Sequence, residues 1–129
     1  MASKDRFNRD NIATLVVPAV ITATNTATAI DMQGFESLNI LIATGVVAGA
    51  GNFTPTLEES NIVDSGFTTV AAADLLGAFV TPLVASTTYK VGYRGNRRFV
   101  RTVLTLNSGT SIVAGVLAVR GNAANKPVA

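Results

Sequence analysis

The 129-residue chain contains no cysteine, no histidine and no tryptophan. Because imidazole and thiolate groups are absent, the sequence excludes a histidine base, a cysteine nucleophile and ordinary zinc, haem and iron–sulfur sites. Disulfide bonds are excluded for the same reason. No apolar run reaches the roughly 20 residues that a membrane-spanning helix requires. We therefore expect a protein with no cofactor, no metal ion and no membrane partner.

Charged residues are scarce, at 14% of the chain, and they are unevenly placed. The formal net charge is +2, but residues 1–10 sum to +1, residues 11–89 hold six acids and no Lys or Arg, and residues 90–129 hold seven Lys or Arg and no acid. A chain with an acidic middle and a basic last third suits ion pairing within one molecule, head-to-tail contact between copies, or binding of a polyanion. All three interpretations stay open at the level of composition.

Branched residues are abundant: Val, Ile and Thr make up 39 of the 129 residues. These side chains fit a pleated, half-buried surface, and short alternating runs with turn residues about every ten positions are typical of an antiparallel β-sheet. We predict an all-β, antiparallel β-sandwich or jelly-roll-like domain of about eight short strands, with one short helical turn near 71–76. The predicted strands are 14–23, 24–31, 35–43, 53–59, 78–84, 87–91, 98–106 and 111–120.

The predicted domain is flanked by two polar segments. Residues 1–12 form an N-terminal arm, residues 13–120 form a single β domain and residues 121–129 form a C-terminal tail. Within the domain, the glycine-rich run 45–52 is predicted to be a loop.

No combination of residues in the sequence points to an enzyme. Glu58 and Glu59 are adjacent, so on a strand their carboxylates would point to opposite faces and could not act as an acid–base pair. Serine and threonine nucleophiles lack a base, because no lysine lies in an S-x-x-K pattern. The remaining acids show no calcium-loop spacing.

A basic, aromatic segment is the most prominent local feature. It comprises Tyr93, Arg94, Arg97, Arg98, Phe99 and Arg101. Interleaved arginines and aromatics bind single-stranded nucleic acid in some proteins, but a net charge of +2 is low for such a role. Arginine is also favoured at protein interfaces, because its planar fork pairs with carboxylates. We favour a protein interface over a solvated loop or a nucleic-acid site, with Glu58 and Glu59 as acidic contacts and Arg6, Phe7 and Arg9 as contacts from the arm.

Four runs of the sequence resemble a known group of proteins when they are taken together and in order. They are Ala29–Ser37 (AIDMQGFES), Leu57–Ser60 (LEES), Phe67–Gly77 (FTTVAAADLLG) and Tyr89–Arg101 (YKVGYRGNRRFVR). This ordered series resembles small structural proteins encoded among the head genes of tailed bacteriophages.

The resemblance implies a virion component and, most specifically, a capsid decoration (cement) protein on the outer surface of the head. Related cement proteins are β-sandwich or jelly-roll modules that commonly form trimers, so the expected partners are the major capsid protein and further copies of this chain. No catalytic residue transfers through the resemblance. The alternatives are a neck, head–tail connector or tail protein and, more remotely, a nucleic-acid-binding module that uses residues 94–101.

Overall fold

The computed structural model describes Phe7 and residues 9–121. Among these residues it contains ten β-strands and one 3-10 turn, so the predicted all-β class is confirmed. The elements are β1 (Asn11–Ile21), β2 (Asn25–Thr26), β3 (Ile30–Asp31), β4 (Ser37–Ala48), β5 (Asn52–Ser60), β6 (Thr68–Thr69), the 3-10 turn (Ala72–Asp74), β7 (Leu75–Leu76), β8 (Thr88–Tyr93), β9 (Phe99–Ser108) and β10 (Ser111–Gly121).

The strands form two antiparallel sheets that pack as a sandwich. The first sheet has the order β1-β10-β4-β8-β7, and the second has the order β2-β9-β5-β6 with β3 also paired to β9. The chain crosses from the first sheet to the second between β1 and β2, between β4 and β5 and between β8 and β9. The long-range pairing of β1 with β10 brings the two ends of the domain side by side.

The core lies between the sheets and follows the alternation of each strand. Alternate side chains are buried over residues 38–42 of β4 and 112–118 of β10 in the first sheet, and over residues 53–57 of β5 and 100–104 of β9 in the second. Residues that are almost fully buried include Ile40, Ile42, Phe53, Leu57, Val91, Val100, Leu104, Ile112 and Val116. Because alternate residues of a strand face opposite sides, this pattern fixes which side chains point inward at the strand ends.

Two local predictions are wrong. The run 45–52 is not a single loop, because residues 45–48 continue β4 and pair with β10 up to Ala48. The turn is limited to residues 49–51, where Gly49 and Ala50 both have positive φ. Residues 78–84 form no strand; Pro82 has no N–H to donate to a ladder, and Leu83 instead buries its side chain and donates its N–H to the Phe53 carbonyl.

The remaining local predictions differ from the structure in extent. The helical segment is a single 3-10 turn over Ala72–Asp74, and it leads directly into β7. The weak strand over 24–31 is reduced to the two-residue strands β2 and β3. Strand β1 begins at Asn11, so its first two residues fall within the range assigned to the arm. Of the tail, only Gly121 lies within the described residues, where it ends β10.

Candidate functional site

The inward-facing residues at one end of the sandwich are polar, and they join the two sheets. Tyr93 is the last residue of β8 and is 4% exposed. Its hydroxyl donates a 2.6 Å hydrogen bond to Glu59 Oε1 on the opposite sheet. The same hydroxyl accepts a 3.1 Å hydrogen bond from the Arg97 backbone N–H. Burial, together with the nearby Glu59 carboxylate, raises the pKa of Tyr93, so the phenol stays protonated and keeps donating.

The segment that follows Tyr93 is attached to the sandwich at several points. The Arg94 N–H donates to the Asp74 carbonyl at 2.8 Å, and the Arg98 N–H donates to Asn61 Oδ1 at 3.2 Å. Gly95 packs on the Tyr93 ring so closely that a Cβ at this position would lie 2.5 Å from the phenol oxygen. Residues 94–98, which we call the basic loop, are therefore restrained by backbone hydrogen bonds although most of them are exposed.

Two of the predicted interface arginines have acidic partners within the chain. Arg98 forms a two-pronged ion pair with Asp31, with distances of 3.0 Å from Nε to Oδ1 and 2.8 Å from the terminal nitrogen to Oδ2. This contact holds the pKa of Asp31 below its usual value and raises that of Arg98. The guanidinium also lies 5.0 Å from the centre of the half-buried Phe99 ring.

Arg101 and Glu58 form the second internal ion pair. They are direct cross-strand neighbours on the outer face of the second sheet, and Arg101 donates to Glu58 Oε1 at 2.8 Å. The centre of the Phe67 ring lies 3.9 Å from the Arg101 guanidinium. The Glu58 carboxylate thus pairs with Arg101 on the outer face, while the Glu59 carboxylate accepts the Tyr93 hydrogen bond between the sheets. The two carboxylates therefore point to opposite faces, as strand alternation predicts.

Arg120 is a member of this site that the sequence analysis missed. It continues the inward alternation of β10 and donates to the Asp31 carbonyl at 2.8 Å and to Asn11 Oδ1. Its guanidinium lies 4.7 Å from the Phe35 ring centre, and burial lowers the pKa of Arg120. The inward residues Ile112, Ala114, Val116 and Ala118 form a period of two that ends on position 120, and extending that pattern would have placed Arg120 inside.

Arg94 and Arg97 differ from the other arginines of the segment. Both are exposed, and within the described part of the chain neither guanidinium has a carboxylate or hydrogen-bond partner. Arg97 borders an open cleft of about 470 Å³ whose walls include Met32, Phe35 and Tyr93. The site therefore presents two unpaired cations on a fixed loop beside a partly apolar cleft.

The predicted arm residues can be located only in part. Phe7 is 88% exposed, and Arg9 is half-buried with no ion-pair partner among the described residues. Arg6 lies outside the described residues. The structure thus brings the six basic-segment residues together with Glu58 and Glu59, and it shows no contact of Phe7 with them.

The chemistry available to the site is recognition by charge and shape. Within the described residues, no three or more Asp or Glu side chains are grouped closely enough to hold a metal ion. None of the helical segments in residues 9–121 is long and apolar enough to cross a membrane. What the geometry offers is a pair of guanidinium groups able to bind carboxylates or other anions.

Comparisons with known proteins give little beyond architecture. No protein-family model matches the chain, and no curated protein matches it. Among solved structures, a chain from Bacillus endospore appendages described as disulfide-linked pili is 12% identical, with a TM-score of 0.43 over 94% of this chain and 96% of that one. A chain of infectious bursal disease virus, Gx strain, is 17% identical, with a TM-score of 0.44 over 92% of this chain and 33% of that one. At these scores neither likeness informs the function, which we argue from the residues themselves.

Proposed function

We propose that this protein is a non-enzymatic structural component of a virus particle, and specifically a decoration (cement) protein on the outer surface of a tailed-bacteriophage head. Its partners would be the major capsid protein and further copies of itself, with a trimer favoured. The proposal is supported by the ordered series of motifs that resembles phage head proteins. It is also consistent with a β-sandwich whose described charged groups form contacts at one end of the two sheets.

The observation that carries the proposal is the fixed basic loop with its two unpaired arginines. Arg98 and Arg101 are neutralised within the chain, so they contribute little to an attraction for another protein. Arg94 and Arg97 keep their charge available, and the Tyr93 and Asn61 hydrogen bonds restrain the loop that carries them. A restrained loop loses little conformational entropy when it binds, which favours an interface role.

The proposed action is mechanical. A protein that bridges neighbouring capsomers adds buried surface across each joint, and a standard interface buries about 1,600 Å². Because the contact is repeated over many equivalent sites, even modest individual affinities stabilise the whole shell. In this scheme Arg94 and Arg97 bind carboxylates on the capsid surface.

The test is binding to heads of the encoding phage that lack the protein, measured by co-sedimentation. We expect Arg94→Gln and Arg97→Gln each to weaken binding roughly three- to tenfold, since one lost charge-assisted contact costs about 1 kcal/mol. Lys90→Gln is the matched control, because it removes one positive charge that also has no partner among the described residues. Equal binding by the unmodified protein and all three variants would overturn the proposed contact.

Copy number in purified particles separates the decoration role from a neck, connector or tail role. Decoration requires hundreds of copies, whereas a connector ring contains six or twelve. A nucleic-acid role is disfavoured by the burial of Tyr93, whose ring cannot stack on a base. Salt-sensitive binding of the protein to single-stranded DNA or RNA would support that role instead.

A further inference from the structure

The two outer faces of the sandwich differ sharply in polarity. The outer face of the second sheet carries the Arg101–Glu58 ion pair together with the outward threonines Thr54, Thr56, Thr69 and Thr105. The outer face of the first sheet, which we call the apolar face, is formed mainly by aliphatic residues of β1, β10 and β4. They are Ile12, Val17, Val20, Leu41, Val46, Val113, Leu117 and Val119.

Several residues of the apolar face are more exposed than aliphatic side chains usually are. Ile12, Val17, Val20 and Val46 are 66%, 71%, 62% and 67% exposed. With Leu117 at 38%, these five residues form an exposed apolar patch on the order of 500 Å², which lies within the roughly 300–600 Å² of the largest patch on a typical monomer, a patch that is often functional. Leu41, Val113 and Val119 enlarge the patch toward the roughly 800 Å² per partner of a stable interface.

We propose that the apolar face packs against the same face of a second copy of this chain. A copy of the polar second sheet would not match it, because its ion pair and hydroxyl groups would be buried against aliphatic side chains without partners. The same face of another copy offers apolar surface of equal extent. Among the described strand residues of this face Lys90 is the only charged one, and it lies on β8, away from the β1–β10 centre, where its ammonium can stay in water at the rim. The Asp10 carboxylate, just before β1, lies beside Gly121 at the end of the face and can likewise stay at the rim.

The geometry of β1 favours face-to-face packing over pairing of strand edges. Strand β1 is an edge strand, but its register with β10 shifts between Thr14 and Val16 and again between Val16 and Ala19. Pro18 lies within the second of these register shifts and packs on Gly115, since a Cβ added to Gly115 would lie 2.7 Å from the Pro18 ring. Bulges and proline on an edge strand block the addition of a further strand. The second copy therefore covers the surface of the sheet and does not extend it.

This inference gives the proposed self-association a contact, but it does not depend on attachment to a capsid. Because each face meets the same face of one other copy, the contact has two-fold symmetry and predicts a dimer instead of the trimer favoured above. The mass of the purified full-length protein, measured by light scattering during size-exclusion chromatography, gives the number of copies.

The chain has no cysteine, so one engineered thiol can report on the apolar face. In the oligomer we expect the Val20→Cys thiol to react with a maleimide about tenfold or more slowly than the Thr105→Cys thiol on the outer face of the second sheet. Val46→Lys added to the Val20→Cys chain should give a monomer and restore fast labelling. The matched control, Thr105→Lys, places the same charge on the polar face and should leave the oligomer intact.

Two results would overturn the inference. One is a monomer at high micromolar concentration of the unmodified protein. The other is an oligomer in which Val20→Cys reacts as fast as Thr105→Cys. Because Val20→Cys is a conservative change at an exposed position, the labelling result does not depend on a disruptive variant folding. Head binding by the Arg94 and Arg97 variants is scored separately, so failure of the capsid role would be visible as a different outcome.

Discussion

The hydrogen bond between Tyr93 and Glu59 should be a principal link between the two sheets at the charged end of the sandwich. Tyr93→Phe removes only the hydroxyl and keeps the ring that packs against Gly95. The chain provides its own control, because Tyr89 lies four residues earlier on the same strand and faces the same way. The Tyr89 hydroxyl accepts a 2.8 Å hydrogen bond from the Val84 N–H, a contact between neutral groups.

The expected magnitudes differ because the acceptors differ. The Tyr93 bond is 2.6 Å long and ends on a carboxylate, and hydrogen bonds to charged groups contribute about 1.5–3 kcal/mol. Its removal also leaves the Arg97 N–H without its acceptor, although water can reach that exposed loop. We expect Tyr93→Phe to lower the free energy of unfolding by about 2 kcal/mol and Tyr89→Phe by about 1 kcal/mol or less.

Urea unfolding monitored by far-UV circular dichroism measures both changes. With a slope of about 2 kcal/mol per molar urea, the Tyr93→Phe midpoint should fall by about 1 M while the slope stays constant. A double-mutant cycle with Glu59→Gln should give a coupling energy of about 1–2 kcal/mol, because both single variants remove the same bond. The measurements belong at one protein concentration, since self-association adds to apparent stability.

Either of two results would refute this reasoning. If Tyr93→Phe costs no more than Tyr89→Phe, the carboxylate acceptor confers no additional strength. If the coupling with Glu59→Gln is near zero, the two groups do not interact in the folded protein, and the sheets are held at this end by packing alone.

Three further predictions concern the same end of the sandwich. The Arg98 contact lowers the pKa of Asp31 in the folded protein, so the ion pair stabilises the fold at pH values above the unfolded-chain pKa of about 4. This stabilisation is lost as the pH falls through the lower folded-state pKa. Asp31→Asn should therefore make the urea midpoint fall less between neutral and acidic pH than it does in the unmodified protein. Arg120→Ala should cost about 2–3 kcal/mol in the same assay, and Arg120→Lys should not restore it, because an ammonium cannot replace the planar fork. Gly95→Ala should lower the thermal midpoint by an amount equivalent to about 1–2 kcal/mol, because its Cβ would displace the Tyr93 hydroxyl.

The strands that could be predicted are those in which apolar residues alternate with polar ones in the sequence and the apolar ones are buried in the fold. Leu38, Ile40 and Ile42 alternate with more exposed residues in the sequence, and all three are buried in β4. The end of β4 was missed because glycines usually mark loops, whereas pairing with β10 carries the strand past Gly45 through a bulge opposite Val113. Pairing between strands far apart in sequence leaves no local signal.

The site was predictable in composition but not in pairing. The clustering of arginines over residues 94–101 was visible, whereas Asp31, which binds Arg98, lies 67 residues away. The sequence showed an acidic middle and a basic last third, and it left open whether the two meet within one molecule or between copies. For Arg98 and Arg101 the answer is within one molecule.

That answer changes which contacts the charge distribution can support. Two of the seven positive charges after residue 89 are neutralised by Asp31 and Glu58, and Arg120 is partly buried and donates to the Asp31 carbonyl. The cations still available on the basic loop are Arg94 and Arg97, which are too few to hold copies together by charge alone, since exposed ion pairs contribute less than about 1 kcal/mol each. The proposed self-association would then rest on surface that does not depend on charge, such as the apolar face. Charge and apolar area therefore have separate tasks in the proposed protein: the basic loop selects the capsid surface, with an affinity that salt weakens, and the apolar face joins the copies, with an affinity that salt leaves intact or strengthens.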